Sequence, residues 1–132
     1  MQLSELRLIE SVLLSADFKQ AQFFHGSVEM KFTFGQITFN TEETPSSDGS
    51  VSTIIIVATP KATANSEGGI EEFSLNMSIR MVYAYPSTET VSEEFLQENS
   101  WYFASFLRTF FKFYADEILQ RAGIEGIRFP LN

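Results

Sequence analysis

The sequence contains no cysteine and only one histidine, His25. The absence of cysteine excludes disulfides, thiolate nucleophiles, Cys-ligated zinc and Cys-ligated iron–sulfur clusters. A single histidine cannot supply a two-histidine metal site within one chain, and its neighbours Phe23 and Phe24 favour a structural role for it. We therefore expect no metal and no other cofactor, and a reducing compartment such as the cytoplasm.

The usual marks of an active site are also missing. The seven glycines match neither the dinucleotide-binding fingerprint nor the spacing of a phosphate-binding P-loop. Paired acids such as Glu71 and Glu72 are neighbours in sequence, so their side chains point in different directions and do not converge on one substrate atom. The sequence predicts that the protein is not an enzyme. A site of carboxylates, serines and tyrosines assembled by folding stays open as an alternative.

Positive charge is scarce, with 9 Lys and Arg against 17 Asp and Glu and a net charge of −8. The basic residues are scattered along the chain, so no basic stripe is present to bind a phosphate backbone, and nucleic acid is a poor candidate partner. A negative field favours basic or unfolded polypeptides, although acidic surfaces also serve solubility alone.

Long apolar runs are absent too. A run such as Ile54 to Ala58 is too short to cross a bilayer, and residues 1–10 mix Glu5, Arg7 and Glu10 with leucines, unlike a signal peptide. We therefore expect a soluble, cytoplasmic protein without membrane insertion. The length of 132 residues suits a single domain, residues 1–132.

Alternation of apolar and polar residues predicts four strands in an antiparallel meander. The predicted strands are 11–18, 28–39, 51–59 and 72–85. The first is preferred over a short helix because Val12, Leu14 and Ala16 alternate. Gly35 marks a bulge or bend in the second strand, and Pro60 either ends the third or lies at an edge or bulge before residues 61–65.

A long helix is predicted after this sheet, so the fold class is α+β. Thr90 and Glu93 have the spacing of a capping box at the helix start. Asn99 with Ser100 is a candidate cap for a second helix, which leaves open whether the segment is one helix or two. Gly123 suits the left-handed position that ends a helix.

Fourteen phenylalanines are the unusual feature of the composition, and many fall in this helical segment. The aromatic residues spread over most of the helix circumference: Phe95, Trp101, Tyr102, Phe106, Phe110, Phe113 and Tyr114. One sheet layer cannot cover so much apolar surface, which predicts a subunit interface, an apolar groove for ligands, or both.

The C-terminal stretch from Phe106-Leu107 to Pro130 resembles the SecB protein-export chaperone family. It combines a hydrophobic helix that closes on Arg121, Ala122, Gly123 and Ile124 with an apolar tail that contains proline. The order of elements is similar to the SecB protomer, a four-stranded antiparallel sheet followed by a long helix, and residues 15–18 resemble its first strand. Glu125 departs from the family, which usually has proline after this apolar residue.

The resemblance implies a dimer or tetramer that binds unfolded or partly folded polypeptides without ATP, a holdase. A translocation ATPase is a further partner that the family implies, and relatives that work with toxin–antitoxin systems leave the pathway open. Two other functions also stay open: a carrier of a small hydrophobic ligand and a structural or adaptor homo-oligomer.

Residues off the main apolar stripe of the helix are the predicted client contacts, with a subunit interface as the alternative use. They are Trp101, Tyr102 and Phe113, together with Phe23 and Phe24 after the first strand. Phe103, Phe106 and Phe110 lie on the main stripe and are predicted to be core.

Overall fold

The computed structural model describes residues 1–20, 28–33, 37–40, 49, 51–66 and 71–124. These residues form a 3-10 turn at Leu3–Glu5, six strands and two α-helices. The strands are β1 (Arg7–Gln20), β2 (Val28–Thr33), β3 (Ile37–Asn40), β4 (Val51–Ala58), β5 (Lys61–Ser66) and β6 (Glu71–Pro86); the helices are α1 (Glu93–Glu98) and α2 (Ser100–Arg121).

The sheet is built around β6, which has partners along both of its edges. One edge pairs with β1, from Arg7 opposite Ala84 to Gln20 opposite Phe73. The other edge pairs first with β4 and then with β5, which lie end to end on either side of Pro60. The Pro60 carbonyl oxygen accepts a hydrogen bond from the Met77 amide at 3.0 Å, so the break is held against the central strand. Pro60 therefore lies at an interruption within one long strand, one of the predicted alternatives.

The second predicted strand is also divided. β2 pairs with β5 and β3 pairs with β4, so the two segments extend the sheet in the same direction on either side of residues 34–36. The predicted bulge residue Gly35 lies outside the described residues.

The predicted fold class, an antiparallel sheet followed by C-terminal helix, is confirmed. The connectivity differs from a complete meander in one respect. β2 and β3, the two parts of the second predicted strand, lie beside β5 and β4, and both of these lie beside β6. β1, however, lies beside β6 rather than beside β2. Alternation identifies the buried face of a strand and leaves its neighbour undetermined, which is why the sequence did not reveal this placement.

Strand β1 is confirmed and is longer than predicted, but its core-facing residues differ from the alternation of Val12, Leu14 and Ala16. Register shifts between residues 8 and 10 and between residues 13 and 15 change which of the following side chains face the core. Three apolar residues pack against the core as a result: Leu8, Leu13 and Phe18. Ile9 and Leu14, at the shifts, are exposed.

The core lies between one face of the sheet and α2. From residue 73 to residue 85, every second side chain of β6 is buried, and α2 covers this face with a row of buried residues spaced by four. The row is Phe103, Leu107, Phe111, Ala115 and Leu119. Phe103 is thus core, as predicted, whereas Phe106 and Phe110 are half-buried and pack at the margin of the core.

The helix ends follow local hydrogen bonding. Ser92, rather than the predicted Thr90, caps α1, because its Oγ accepts a hydrogen bond from the Phe95 amide at 3.1 Å. The predicted split at Asn99 is confirmed. Gly123 has φ of 78° and ends α2 with a Schellman motif, in which the Ile124 amide donates to the Leu119 carbonyl oxygen at 2.9 Å.

Candidate functional site

An aromatic cluster forms where the first turns of α2 cross the sheet. It consists of Phe39, Tyr83, Tyr102, Phe103 and Phe106. The Tyr83 ring is 5.2 Å from that of Phe103 and 6.0 Å from that of Phe106, both edge to face. Tyr102 lies 5.1 Å from Phe106 by ring centroids and 6.3 Å from Tyr83. Phe39 adds a contact to Phe103 at 5.5 Å.

The burial of the cluster residues decreases from the core to the surface. Tyr83 and Phe103 are fully buried, and Tyr102 and Phe106 are half-buried. Trp101 continues the series outward, with its ring 6.0 Å from that of Tyr102 and 61% of its surface exposed. An apolar ligand on this helix would therefore meet a continuous aromatic surface with a rigid base.

A second row of α2, spaced by four, faces away from the sheet and is named here the outer ridge: Trp101, Ser105, Thr109 and Phe113. Phe113 is 59% exposed. Ser105 Oγ donates to the Trp101 carbonyl oxygen at 2.9 Å, and Thr109 Oγ1 donates to the Ser105 carbonyl oxygen at 3.1 Å. Because both hydroxyls are occupied within the helix, the ridge presents two large aromatic side chains separated by small residues whose polar groups are already bonded.

Charged side chains flank the C-terminal half of α2. Lys112 pairs with Asp116, and Arg121 pairs with Glu117 at 3.3 Å. These bonds link residues one turn apart and leave the aromatic positions of the ridge uncovered. The Arg121–Glu117 pair is exposed and the Lys112–Asp116 pair is partly buried, and pairs one turn apart on a helix contribute only a few tenths of a kcal/mol, so their main effect is to keep this flank polar.

The tyrosine hydroxyls of the core differ in their partners. The Tyr114 hydroxyl is 3.2 Å from Ser11 Oγ and 3.4 Å from the Ser11 carbonyl oxygen, which ties α2 to β1. The Tyr83 hydroxyl is buried and has no hydrogen-bond partner in the part of the chain that the structure describes. Burial raises the pKa of Tyr83, and the nearby Tyr102 phenol adds to the rise.

A second apolar surface lies along β1. Within the described part of the chain this strand pairs with β6 alone, so no described strand occupies its other edge. Ile9 and Leu14 are exposed on the same strand. An open edge with apolar side chains is suited to pairing with another strand.

A cavity of about 350 Å³ lies at the opposite end of β6 from β5, beside the 3-10 turn. Its lining residues are Ser4, Glu5, Leu6, Arg7, Val51, Ala84, Tyr85 and Pro86. Trp101, Tyr102 and Phe113 do not line this cavity, and Glu5 and Arg7 place charge in its wall. Tyr85 contributes an aromatic ring, but no residue of α2 is among these lining residues, unlike the pocket expected of a hydrophobic-ligand carrier built on the helix.

No group of three metal-ligating side chains occurs among residues whose placement is described. Neither described α-helix has the length and hydropathy needed to cross a membrane.

The structure brings Trp101 and Tyr102 together at 6.0 Å and places Phe113 on the same ridge as Trp101. Phe23 and Phe24 lie outside the described residues. Tyr83 was not predicted from the sequence as a site residue. It occupies a core position of a strand in which apolar residues alternate, and a hydroxyl at such a position is the feature that could have identified it. Ser105 and Thr109 were not predicted either; they lie between the two exposed aromatic residues at the same spacing of four, which completes the outer ridge.

Together the sheet, the crossing helix and the aromatic cluster define an α+β protein of the SecB-like fold. No protein-family model and no curated protein match the sequence. A solved structure, the Mycobacterium tuberculosis Rv1957 SecB-like chaperone in complex with a ChAD peptide from the Rv1956 HigA1 antitoxin, is similar with a TM-score of 0.67. The similarity covers 96% of this chain and 90% of that chain at 9% sequence identity. The predicted resemblance to SecB is thereby confirmed at the level of the fold.

Proposed function

We propose that this protein is an ATP-independent chaperone, a holdase that binds unfolded or partly folded polypeptides through the outer ridge and the aromatic cluster of α2. The observation that carries the proposal is the exposure of Trp101 and Phe113 on a helix whose opposite face is already filled by core contacts. Large exposed aromatics on an ordered helix supply apolar contact area at low entropic cost.

The similarity to a SecB-like chaperone that binds an antitoxin peptide supports a polypeptide as the ligand. The net charge of −8 supports it further, because a negative field attracts basic segments of a client. Clients passing to protein export and an antitoxin partner are both compatible with this chemistry. Contact with a translocation ATPase belongs to the export alternative.

The proposed activity requires no chemical step. Binding the unfolded state lowers the concentration of chains free to aggregate, by mass action. Neither nucleotide nor metal takes part, and the protein is not an enzyme.

Oligomerisation to a dimer or tetramer is part of the proposal. The open edge of β1 supports strand pairing between copies, with Ile9 and Leu14 contributing apolar contact. The outer ridge then serves clients or a second subunit interface, and these two uses differ in their consequences for mutation.

The experiment combines light scattering with client binding. We expect at least a dimer at micromolar concentration, and a persistent 15.0 kDa monomer would contradict the oligomer. Trp101→Ala should weaken binding of a reduced, unfolded client while the oligomer and the melting temperature stay close to wild type. If it dissociates the oligomer instead, the ridge is a subunit interface and the structural or adaptor function is favoured.

A further inference from the structure

The Tyr83 hydroxyl, at the base of the aromatic cluster, is a buried hydrogen-bonding group that has no hydrogen-bond partner among the described residues. The side chain is 0% exposed, and three aromatic rings of α2 surround it within 6.3 Å by centroid distance. A buried hydroxyl that makes no hydrogen bond destabilises the folded state, whereas phenylalanine would fill the same volume without that penalty. The fold alone gives no reason for a hydroxyl here.

A tyrosine of α2 that packs against the same core, Tyr114, shows the contrast. Tyr114 places its hydroxyl against Ser11, so its polar atom is satisfied within the chain. Tyr83 is surrounded by aromatic rings, and no described residue places an oxygen or nitrogen acceptor within hydrogen-bonding distance of its hydroxyl.

The route from Tyr83 to the surface passes through Tyr102. Tyr102 is half-buried, contacts Tyr83, and adjoins the exposed Trp101. The Tyr102 ring lies 6.3 Å from that of Tyr83 by centroid distance, so the two phenols are neighbours in the cluster. An outward rotation of the Tyr102 side chain would therefore open the base of the cluster toward the proposed client surface.

We propose that Tyr83 is a specificity-determining residue for bound polypeptide, which donates its hydroxyl proton in a hydrogen bond to a main-chain carbonyl of the client when Tyr102 turns outward. This inference rests on the proposed holdase function. An extended polypeptide is the occupant because it presents apolar side chains for the aromatic walls and, beside them, carbonyl oxygens that need a donor when water is displaced. A hydrocarbon ligand would leave the hydroxyl unpaired.

The test uses the full chain, fluorescein-labelled, reduced and carboxymethylated α-lactalbumin as the client, and the variants Tyr83→Phe and Tyr114→Phe. Tyr83→Phe should weaken binding about fivefold, the range of one hydrogen bond, while the melting temperature stays constant or rises by about 2 to 5 °C. Tyr114→Phe should lower the melting temperature and leave affinity unchanged. The two variants remove the same atom, so they separate a recognition role from a structural one.

A second measurement follows the hydroxyl directly. In protein labelled at tyrosine Cζ, the Tyr83 carbon resonance, assigned from Tyr→Phe variants at the four tyrosines, should shift when client is added, and the Tyr114 resonance should not. The inference is overturned if Tyr83→Phe binds the client with unchanged affinity, or if the Tyr83 resonance does not shift when client is added. A lowered melting temperature in Tyr83→Phe also overturns it, because the hydroxyl then has a structural partner such as water or a second copy. If wild-type protein itself fails to bind the client, the proposed function fails first.

Discussion

Two phenylalanines of the same helix, two positions apart, offer a sharp comparison of core and client roles. Phe111 is 2% exposed and packs against the sheet, whereas Phe113 is 59% exposed on the outer ridge. Replacing each with alanine removes the same atoms from the same element. The two variants therefore differ only in what surrounds the ring.

The structure sets different magnitudes for the two changes. Phe111→Ala leaves a core cavity and should cost about 3 to 5 kcal/mol of unfolding free energy. Phe113 covers roughly 80 Å² within its own chain, worth at most about 2 kcal/mol at 25 cal/mol per Å². Alanine returns about 0.5 kcal/mol through its better helix propensity, so a loss near 1 kcal/mol is expected.

For client binding, the larger loss is expected for Phe113→Ala rather than for Phe111→Ala. Phe113 leaves roughly 120 Å² for a client, worth up to about 3 kcal/mol if fully covered. If the client covers this area only in part, Phe113→Ala should lose about 1.4 kcal/mol of binding free energy, which corresponds to a tenfold weaker Kd. Phe111→Ala should weaken binding only to the extent that it unfolds the protein.

Thermal unfolding followed by circular dichroism and fluorescence anisotropy with reduced, carboxymethylated α-lactalbumin measure the two quantities on the same samples. We expect Phe113→Ala to remain folded and oligomeric with about tenfold weaker binding. If Phe113→Ala binds like wild type, or loses binding only together with its oligomer, the outer ridge is not the client surface.

Four further predictions concern the ends of the helices, the pH dependence and the cofactor requirement. Ser92→Ala removes the cap of α1 and should lower the free energy of unfolding in urea by about 1 kcal/mol, with Ser105→Ala as a surface control. Gly123→Ala places a side chain at φ of 78° and should cost about 1 kcal/mol in the same assay; an unchanged midpoint would exclude the left-handed helix end. Because burial raises the pKa of Tyr83, the unfolded chain releases this proton first, so the free energy of unfolding should fall as pH rises above about 10. Tyr83→Phe should reduce that slope, and an identical pH profile would contradict the burial. Chelator treatment and omission of ATP should leave suppression of aggregation unchanged, and loss in either condition would reveal a site not identified here.

Several parts of the fold were predictable because their signals are local. Apolar and polar residues alternate along β6 from Phe73 to Met81, and Gly123 ends α2 at the position that its conformational freedom suits. Other features depend on distant contacts. The position of β1 beside β6 is set by pairing across the sheet, and its two register shifts move Leu13 to the core in place of Leu14.

The face of α2 that meets the sheet was only partly predictable. Two adjacent rows, one beginning at Phe103 and the other at Tyr102, are both rich in aromatic residues with the same spacing. The two rows are one residue apart, about 100° around the helix. Which row is buried is decided only by how the helix packs across the sheet. The client residues Trp101 and Phe113 are exposed, as their position off the main stripe suggested, and their contact with a client stays a prediction.

The central claim is that this protein holds unfolded polypeptides through an exposed aromatic helix surface. The most direct test is the light scattering of α-lactalbumin that aggregates after reduction with dithiothreitol; the reductant leaves this chain unaltered because it contains no cysteine. Wild-type protein at near-stoichiometric amounts and without ATP should suppress the scattering, and Phe113→Ala should require a larger amount. Scattering that wild-type protein leaves unchanged at several-fold excess would contradict the chaperone function.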